Sequence, residues 1–265
     1  MEHEPVAPVA LKVESLSISF DGLQALDSVS FEVPRNSIVG LIGPNGAGKS
    51  TLINCLTRVY VPDSGGIRFE GASLLELQAH QLIRAGIART FQNLELAGER
   101  TALENVLAGA MSARDVPFLA DLFGLAQARA QHRVAEDEAR ESMCRLGVDR
   151  AADQLVNTLP YGVQKKIELA RAIAARPRLL LLDEPAAGLN PDETDALADL
   201  LRQLHGAGDL TILLIEHDMK FVMRLCESLV VLDHGVVIAR GTPEQIRADA
   251  KVVEAYLGEE LDPAA

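Results

Sequence analysis

What this 265-residue chain lacks narrows its options first. No window reaches the roughly 18 consecutive apolar residues that a helical membrane span requires. The opening MEHEPVAPVALKVE carries acids and prolines where a secretory signal needs a basic start and an apolar run. A membrane role is therefore expected to come through a partner, without direct membrane insertion. Cysteine is scarce: Cys55, Cys144 and Cys226 are an odd number with no C-x-x-C spacing, which predicts reduced thiols packed as small hydrophobes in a cytosolic protein. Positive charge is scarce too. Lys and Arg number 25 against 38 Asp and Glu, and the net charge of −13 predicts no general attraction to nucleic acid or anionic lipid. The chain has no heptad run, internal repeat or low-complexity tract.

What is present is an apolar fraction of 48%, enough to bury the core of one large α/β domain. Residues 1–10 read as a tail. Over 13–33, short alternations (LSISF, SVSFEV) separated by DGLQ predict paired antiparallel strands. SIVGLIG at 37–43 is a nearly continuous apolar run ending in glycine, the pattern of a buried parallel strand. Residues 101–147 turn helical, rich in Ala, Glu, Arg and Gln, and open on a capping box from Thr101 to Glu104. Helix and strand then alternate: helix 163–175, strand LLLLD at 179–183, helix 191–205, strand LTILLI at 210–215, a further helix, and SLVVLDHGVVIARG. Such alternation implies parallel crossovers, so the expected architecture is an α/β core interrupted by a helical subdomain.

GPNGAGKST at 43–51 fits G-x-x-x-x-G-K-[ST] between a predicted strand and a predicted helix. Gly43, Gly46 and Gly48 allow the backbone to turn N–H groups inward onto phosphate oxygens, and the following helix adds its positive end. Lys49 is expected to neutralise the β and γ phosphates, Ser50 to ligate Mg2+, and Thr51 to contact phosphate nearby. Asp183 and Glu184 follow the four leucines at a sheet edge where ligands gather. There Asp183 is suited to hold Mg2+ through water and Glu184 to polarise the water attacking the γ phosphate. An Asp-Glu pair in this position is also a common solvated helix start. His217 ends another strand and is a candidate γ-phosphate contact. Gln92, in RTFQN, is a candidate hinge between subdomains, able to reach Mg2+ or water on closure.

Together these residues resemble the nucleotide-binding subunit of ABC transporters, over about residues 11–258. Gly43 to Thr51, with Pro44, Asn45 and Ala47, match Walker A; Gln92 matches the Q-loop, LPYGVQ at 159–164 the signature, 179–184 Walker B, and His217 the switch histidine. The resemblance implies a P-loop NTPase core with an antiparallel β subdomain and an inserted α-helical subdomain, the core at 11–92 and 165–258 and the helices at 93–164. It implies ATP and Mg2+ as ligands and ATP hydrolysis as the activity. It places Phe20 against the adenine ring, and Leu159, Gly162 and Gln164 against the ATP of a second subunit. Two departures stand out. The family serine that contacts the γ phosphate is Pro160 here and one signature glycine is Tyr161, which predicts a working but weaker contact. Asn190 stands where many relatives carry aspartate.

Longer stretches, among them RTFQNLELAGERTALENVLAG and GTPEQIRADAKVVEAYLGEE, are similar to the larger ATPase subunit of high-affinity branched-chain amino acid importers. The implied partners are membrane subunits, docked on 92–104, a second ATPase subunit (an identical copy or a sister), and indirectly a substrate-binding protein. The implied location is peripheral, on the cytoplasmic side of the plasma (inner) membrane. Importers of other amino acids, urea, amides or aromatic acids remain open, as do a soluble non-transport ABC ATPase and a regulatory nucleotide switch.

Overall fold

The computed structural model describes residues 8–90, 94–115 and 126–260 of the chain. Strands β1 (Val9–Phe20) and β2 (Leu23–Pro34) form a long antiparallel hairpin. Its turn falls on Asp21 and Gly22, both at positive φ, the conformation whose twist suits two-residue hairpins. β1 begins inside the stretch read as a tail: Val9 pairs with Pro34, and Ala10 is buried. β4 (Ser64–Phe69) joins the other edge of β1, and the short β5 (Ala72–Ser73) joins β4, giving the order β2-β1-β4-β5.

A second sheet has the order β10-β9-β3-β8-β7-β6, built from β3 (Ile38–Ile42), β6 (Ile87–Arg89), β7 (Leu179–Asp183), β8 (Thr211–Ile215), β9 (Ser228–Asp233) and β10 (Val236–Gly241). All its pairings are parallel except the β9–β10 hairpin. Every residue of β3, β7 and β8 is buried, which explains their unbroken apolar runs. Successive side chains point to opposite faces. Ile38, Ile42, Leu180, Leu182, Ile212 and Leu214 enter one core with the helices, whereas Val39, Leu41, Leu179, Leu181, Leu213 and Ile215 pack beneath the antiparallel sheet and helix α1 (Lys49–Leu56).

Between β6 and β7 lie α2 (Ala102–Ser112), α3 (Ala126–Arg145) and α4 (Tyr161–Ala174). The expected capping box is present: Glu104 N donates to Thr101 Oγ1 (3.2 Å) and Thr101 N to Glu104 Oε2 (2.8 Å). Helical spacing from 163 puts Val163, Ile167, Ala170 and Ile173 or Ala174 on one face and Lys165, Lys166 and Arg171 largely elsewhere; α4 starts two residues earlier, buries Ile167, Ala170, Ile173 and Ala174, and leaves Val163 half-buried. Lys165, expected on the outer face, is buried as well, with its ammonium 5.8 Å from the Tyr161 ring centroid. Cys55 and Cys226 are buried, but Cys144 is exposed: it follows the buried Met143 by one residue, about 100° round α3. After β7 come α5 (Pro191–Gly206), α6 (Met219–Leu225), α7 (Pro243–Ala248) and α8 (Ala250–Glu260). Among the described residues no helix is long and apolar enough to cross a membrane.

Candidate functional site at the end of the parallel sheet

β3, β7 and β8 all end on one edge, so the loop after β3, the acids after β7 and the histidine after β8 are neighbours by topology. The loop 43–48 is shaped from within. Gly43 has φ +153, and a Cβ there would stand 2.0 Å from the Leu232 carbonyl oxygen. Gly48, the left-handed N-cap of α1, would place a Cβ 2.7 Å from the Ala25 carbonyl oxygen. The β9–β10 turn supports the loop from behind, Gly235 N donating to Ala47 O (3.0 Å) and Asp27 N to Gly235 O (2.8 Å). Lys49 is almost fully buried, its Nζ donating to the carbonyls of Gly43 (2.6 Å) and Pro44 (2.8 Å), so a cation lies inside the loop at the positive end of α1. Asn45, Gly46 and Ser50 are exposed, while Thr51 is half-buried.

Asp183, buried at the end of β7, pairs with Arg89 at 2.8 Å. Arg89 also donates to Asn54 Oδ1 (2.9 Å) and Thr57 Oγ1 (3.0 Å) of the α1 segment, tying the strand end to the helix that follows the loop. Glu184 takes a left-handed backbone (φ +47), uncommon for a residue with a Cβ, and its N–H bonds to Ile215 O at 3.0 Å. Its Oε1 lies 3.7 Å from His217 Nδ1, and the histidine side chain is 63% exposed. Beneath them Glu216 is 1% exposed and accepts from the backbone N–H groups of Ala186 (2.9 Å), His217 (3.1 Å) and Asp218 (3.4 Å). Burial pushes its carboxyl above the ordinary range, against the downward pull of those donors. Asp218 caps α6 through Lys220 N (2.8 Å) and Phe221 N (3.2 Å).

Leu159, Gly162 and Gln164 gather at a separate place, the start of α4. Pro160 is its N-cap, and Gln164 Nε2 donates to Leu159 O at 2.8 Å. Tyr161 OH donates to Ala187 O (3.3 Å), and Gly162 abuts the Glu193 carboxylate. Glu193 and Asn190 form the capping box of α5, with Pro191 in the first turn. Phe20, at the hairpin tip, meets Tyr60 edge-on with ring centroids 5.1 Å apart. Gln92 lies outside the described residues.

Arg89, Glu216 and Tyr60 escaped the reading of motifs. The first two act across 94 and 30 residues of sequence, beyond what local patterning carries. Only the strand-end position of Glu216, directly after LTILLI, hinted at it.

Among the described residues no group of three or more His, Cys, Asp and Glu side chains is placed to hold a metal. Of the sequence-matched donors Ser50, Asp183 and Gln92, the last lies outside the described residues; one hydroxyl and one carboxylate suit a magnesium ion that keeps most of its oxygen ligands as phosphate and water.

A buried parallel strand, a glycine loop closed around a lysine, and an acid at the end of the strand two places along the sheet define a P-loop nucleoside triphosphatase. A family profile described as ABC transporter matches residues 26–187, and one described as branched-chain amino acid ATP-binding cassette transporter matches 236–262. The chain belongs to the ABC transporter family, as one of its nucleotide-binding, ATP-hydrolysing subunits. It is 45% identical to the high-affinity branched-chain amino acid transport ATP-binding protein BraF of Pseudomonas aeruginosa, over 94% of this chain and 98% of that one. It is 42% identical to LivG of Escherichia coli over the same shares. Among solved structures it is similar to the ADP conformation of an ABC transporter's ATP-binding cassette, with TM-score 0.82, 32% identity, and coverage of 95% of this chain and 99% of that one. A nucleotide-free cassette superposes with TM-score 0.81 at 31% identity, covering 94% and 98%.

Proposed function

We propose that this chain is the ATP-driven motor of a branched-chain amino acid importer. It pairs with a second ATPase subunit and acts on membrane subunits at the cytoplasmic face of the membrane, with a substrate-binding protein delivering cargo outside. The proposed unit is a single nucleotide-binding domain over 11–258, with 93–164 as its helical subdomain. The match of 236–262 to the branched-chain family, beyond the cassette shared by all ABC transporters, carries the substrate reading.

In this reading the loop from Gly43 to Thr51, with Pro44, Asn45, Gly46, Ala47 and Gly48, wraps the phosphates with backbone N–H groups. The Lys49 ammonium turns from its carbonyl partners to the β and γ oxygens. Ser50, Asp183 and Gln92 would hold a magnesium ion arriving with ATP, which would supply charge neutralisation at the phosphates. Glu184 orients and polarises the attacking water, and His217, 3.7 Å away, contacts the γ phosphate. Phe20 stacks on adenine, its plane set by Tyr60. Leu159, Gly162, Gln164 and the N-terminal N–H groups of α4 close on the ATP held by the other subunit.

Substituting Glu184→Gln is expected to leave nucleotide binding intact and lower phosphate release by at least about a hundredfold. Unchanged turnover would remove Glu184 from this role. Uptake of labelled leucine by cells producing the full importer should likewise stop on Lys49→Ala, and transport of urea or an aromatic acid in its place would redirect the substrate assignment.

A further inference from the structure

Glu216 is, like Lys165 and Glu168, a buried ionisable group that the mechanism above leaves unused, and it is the one that borders Glu184 and His217. An acid that is 1% exposed carries a large desolvation cost, and the strand before it, Thr211–Ile215, is buried throughout without needing a carboxylate to end it. Capping of α6 does not account for it either, because Asp218 already accepts from Lys220 N and Phe221 N. What Glu216 adds is a bond across the sheet edge. Its Oε1 holds Ala186 N, two residues after Glu184, and its Oε2 holds the N–H of His217 and of Asp218.

We infer that Glu216 is a positioning residue that sets the Glu184–His217 pair by tying the end of β7 to the end of β8. The segment after β7 is pinned at two points, Glu184 N to Ile215 O and Ala186 N to Glu216 Oε1. Glu184 sits at the first of them with φ +47, a backbone that a side-chain-bearing residue keeps only when its surroundings impose it. The second oxygen fixes the backbone that presents His217. One carboxylate therefore sets the separation between the group assigned to the water and the group assigned to the γ phosphate. Only a carboxylate has an acceptor at both ends; an amide of the same shape turns a donor toward one of the two segments.

The inference rests on the roles proposed for Glu184 and His217, and the test separates the two. In the full-length protein Glu216→Gln is expected to lower kcat by about tenfold to a hundredfold while KM for MgATP stays within about twofold, as for a misplaced reacting group. Amide hydrogen exchange should quicken at Ala186 or at His217 and Asp218 and stay unchanged in the phosphate loop. If Glu216→Gln does not fold, Glu216→Asp, which keeps the charge but is one methylene shorter, should show the same split. Turnover within about twofold of the parent in the folded variant overturns the inference. So does a fall in kcat matched by equal losses of MgATP affinity and thermal stability, which marks a purely structural acid. Glu184→Gln run alongside guards the premise: if it retains turnover, the proposed roles fail, whatever Glu216 does.

Discussion

The phosphate loop and the start of α4 are both glycine-bearing turns that lead into a helix, yet they are held in different ways. The loop is enclosed: the carbonyl oxygens of Leu232 and Ala25 crowd Gly43 and Gly48, Gly235 supports Ala47 from behind, and Lys49 fills the interior. The start of α4 lies open, with Pro160 exposed, Tyr161 43% exposed, and its contacts to the 187–193 segment made through the Tyr161 hydroxyl and ring and the Glu193 carboxylate. The difference teaches that the loop is shaped in advance by its own chain. The α4 start is shaped only as far as a surface that another subunit can complete, so substitutions in the two places should be read by different measurements.

The strongest test of that contrast is Gly43→Ala. A methyl 2.0 Å from the Leu232 carbonyl cannot be accommodated without moving β9, so the variant should lose at least about 2 kcal/mol of unfolding free energy along with nucleotide binding. Denaturant titration and a nucleotide-binding assay would check it; a stable variant that still binds ATP would show that the loop is looser than its contacts imply. At the α4 start the effect should appear in pairing instead. Pro160→Ser restores a hydroxyl, and a charge-assisted bond to phosphate is worth about 1.5–3 kcal/mol, so dimerisation of the Glu184→Gln background in MgATP should tighten about tenfold or more. Serine is also a good N-cap and can stabilise the single chain by about 1 kcal/mol. Sedimentation with and without MgATP separates the two contributions, because only the phosphate contact depends on nucleotide.

The same contrast accounts for what could be read from sequence. The loop, the strands 179–183 and 211–215, and the Thr101–Glu104 capping box are local devices in which spacing along the chain is the geometry, and they lie at or within a residue of their expected places. Pairings over long separations left no such trace. Nothing near ARTF marks Arg89 as the partner of Asp183, and helical periodicity put Lys165 outside because it scores a charge by type and takes no account of the Tyr161 ring beside it. Tyr161 was legible only as a departure from glycine; its contact with the 187–188 turn belongs to the fold.

That contact also gives the smallest and most discriminating prediction. Tyr161 reaches from α4 to the Ala187 carbonyl, three residues beyond Glu184, and its ring packs on Gly188. The hydrogen bond is long and exposed, so Tyr161→Phe should cost no more than about 0.5 kcal/mol of stability and leave the ring packing in place. Tyr161→Gly removes the ring too and frees the 187–188 turn from α4. If the α4 start merely caps its helix, both variants should hydrolyse ATP like the parent. If the ring relays the position of α4 to the segment carrying Glu184, Tyr161→Gly should lower turnover several-fold while Tyr161→Phe does not, with nucleotide affinity equal in all three proteins. A loss confined to the glycine variant would make this open turn part of the hydrolytic machinery within one chain, beyond its proposed role in closing on a partner's ATP.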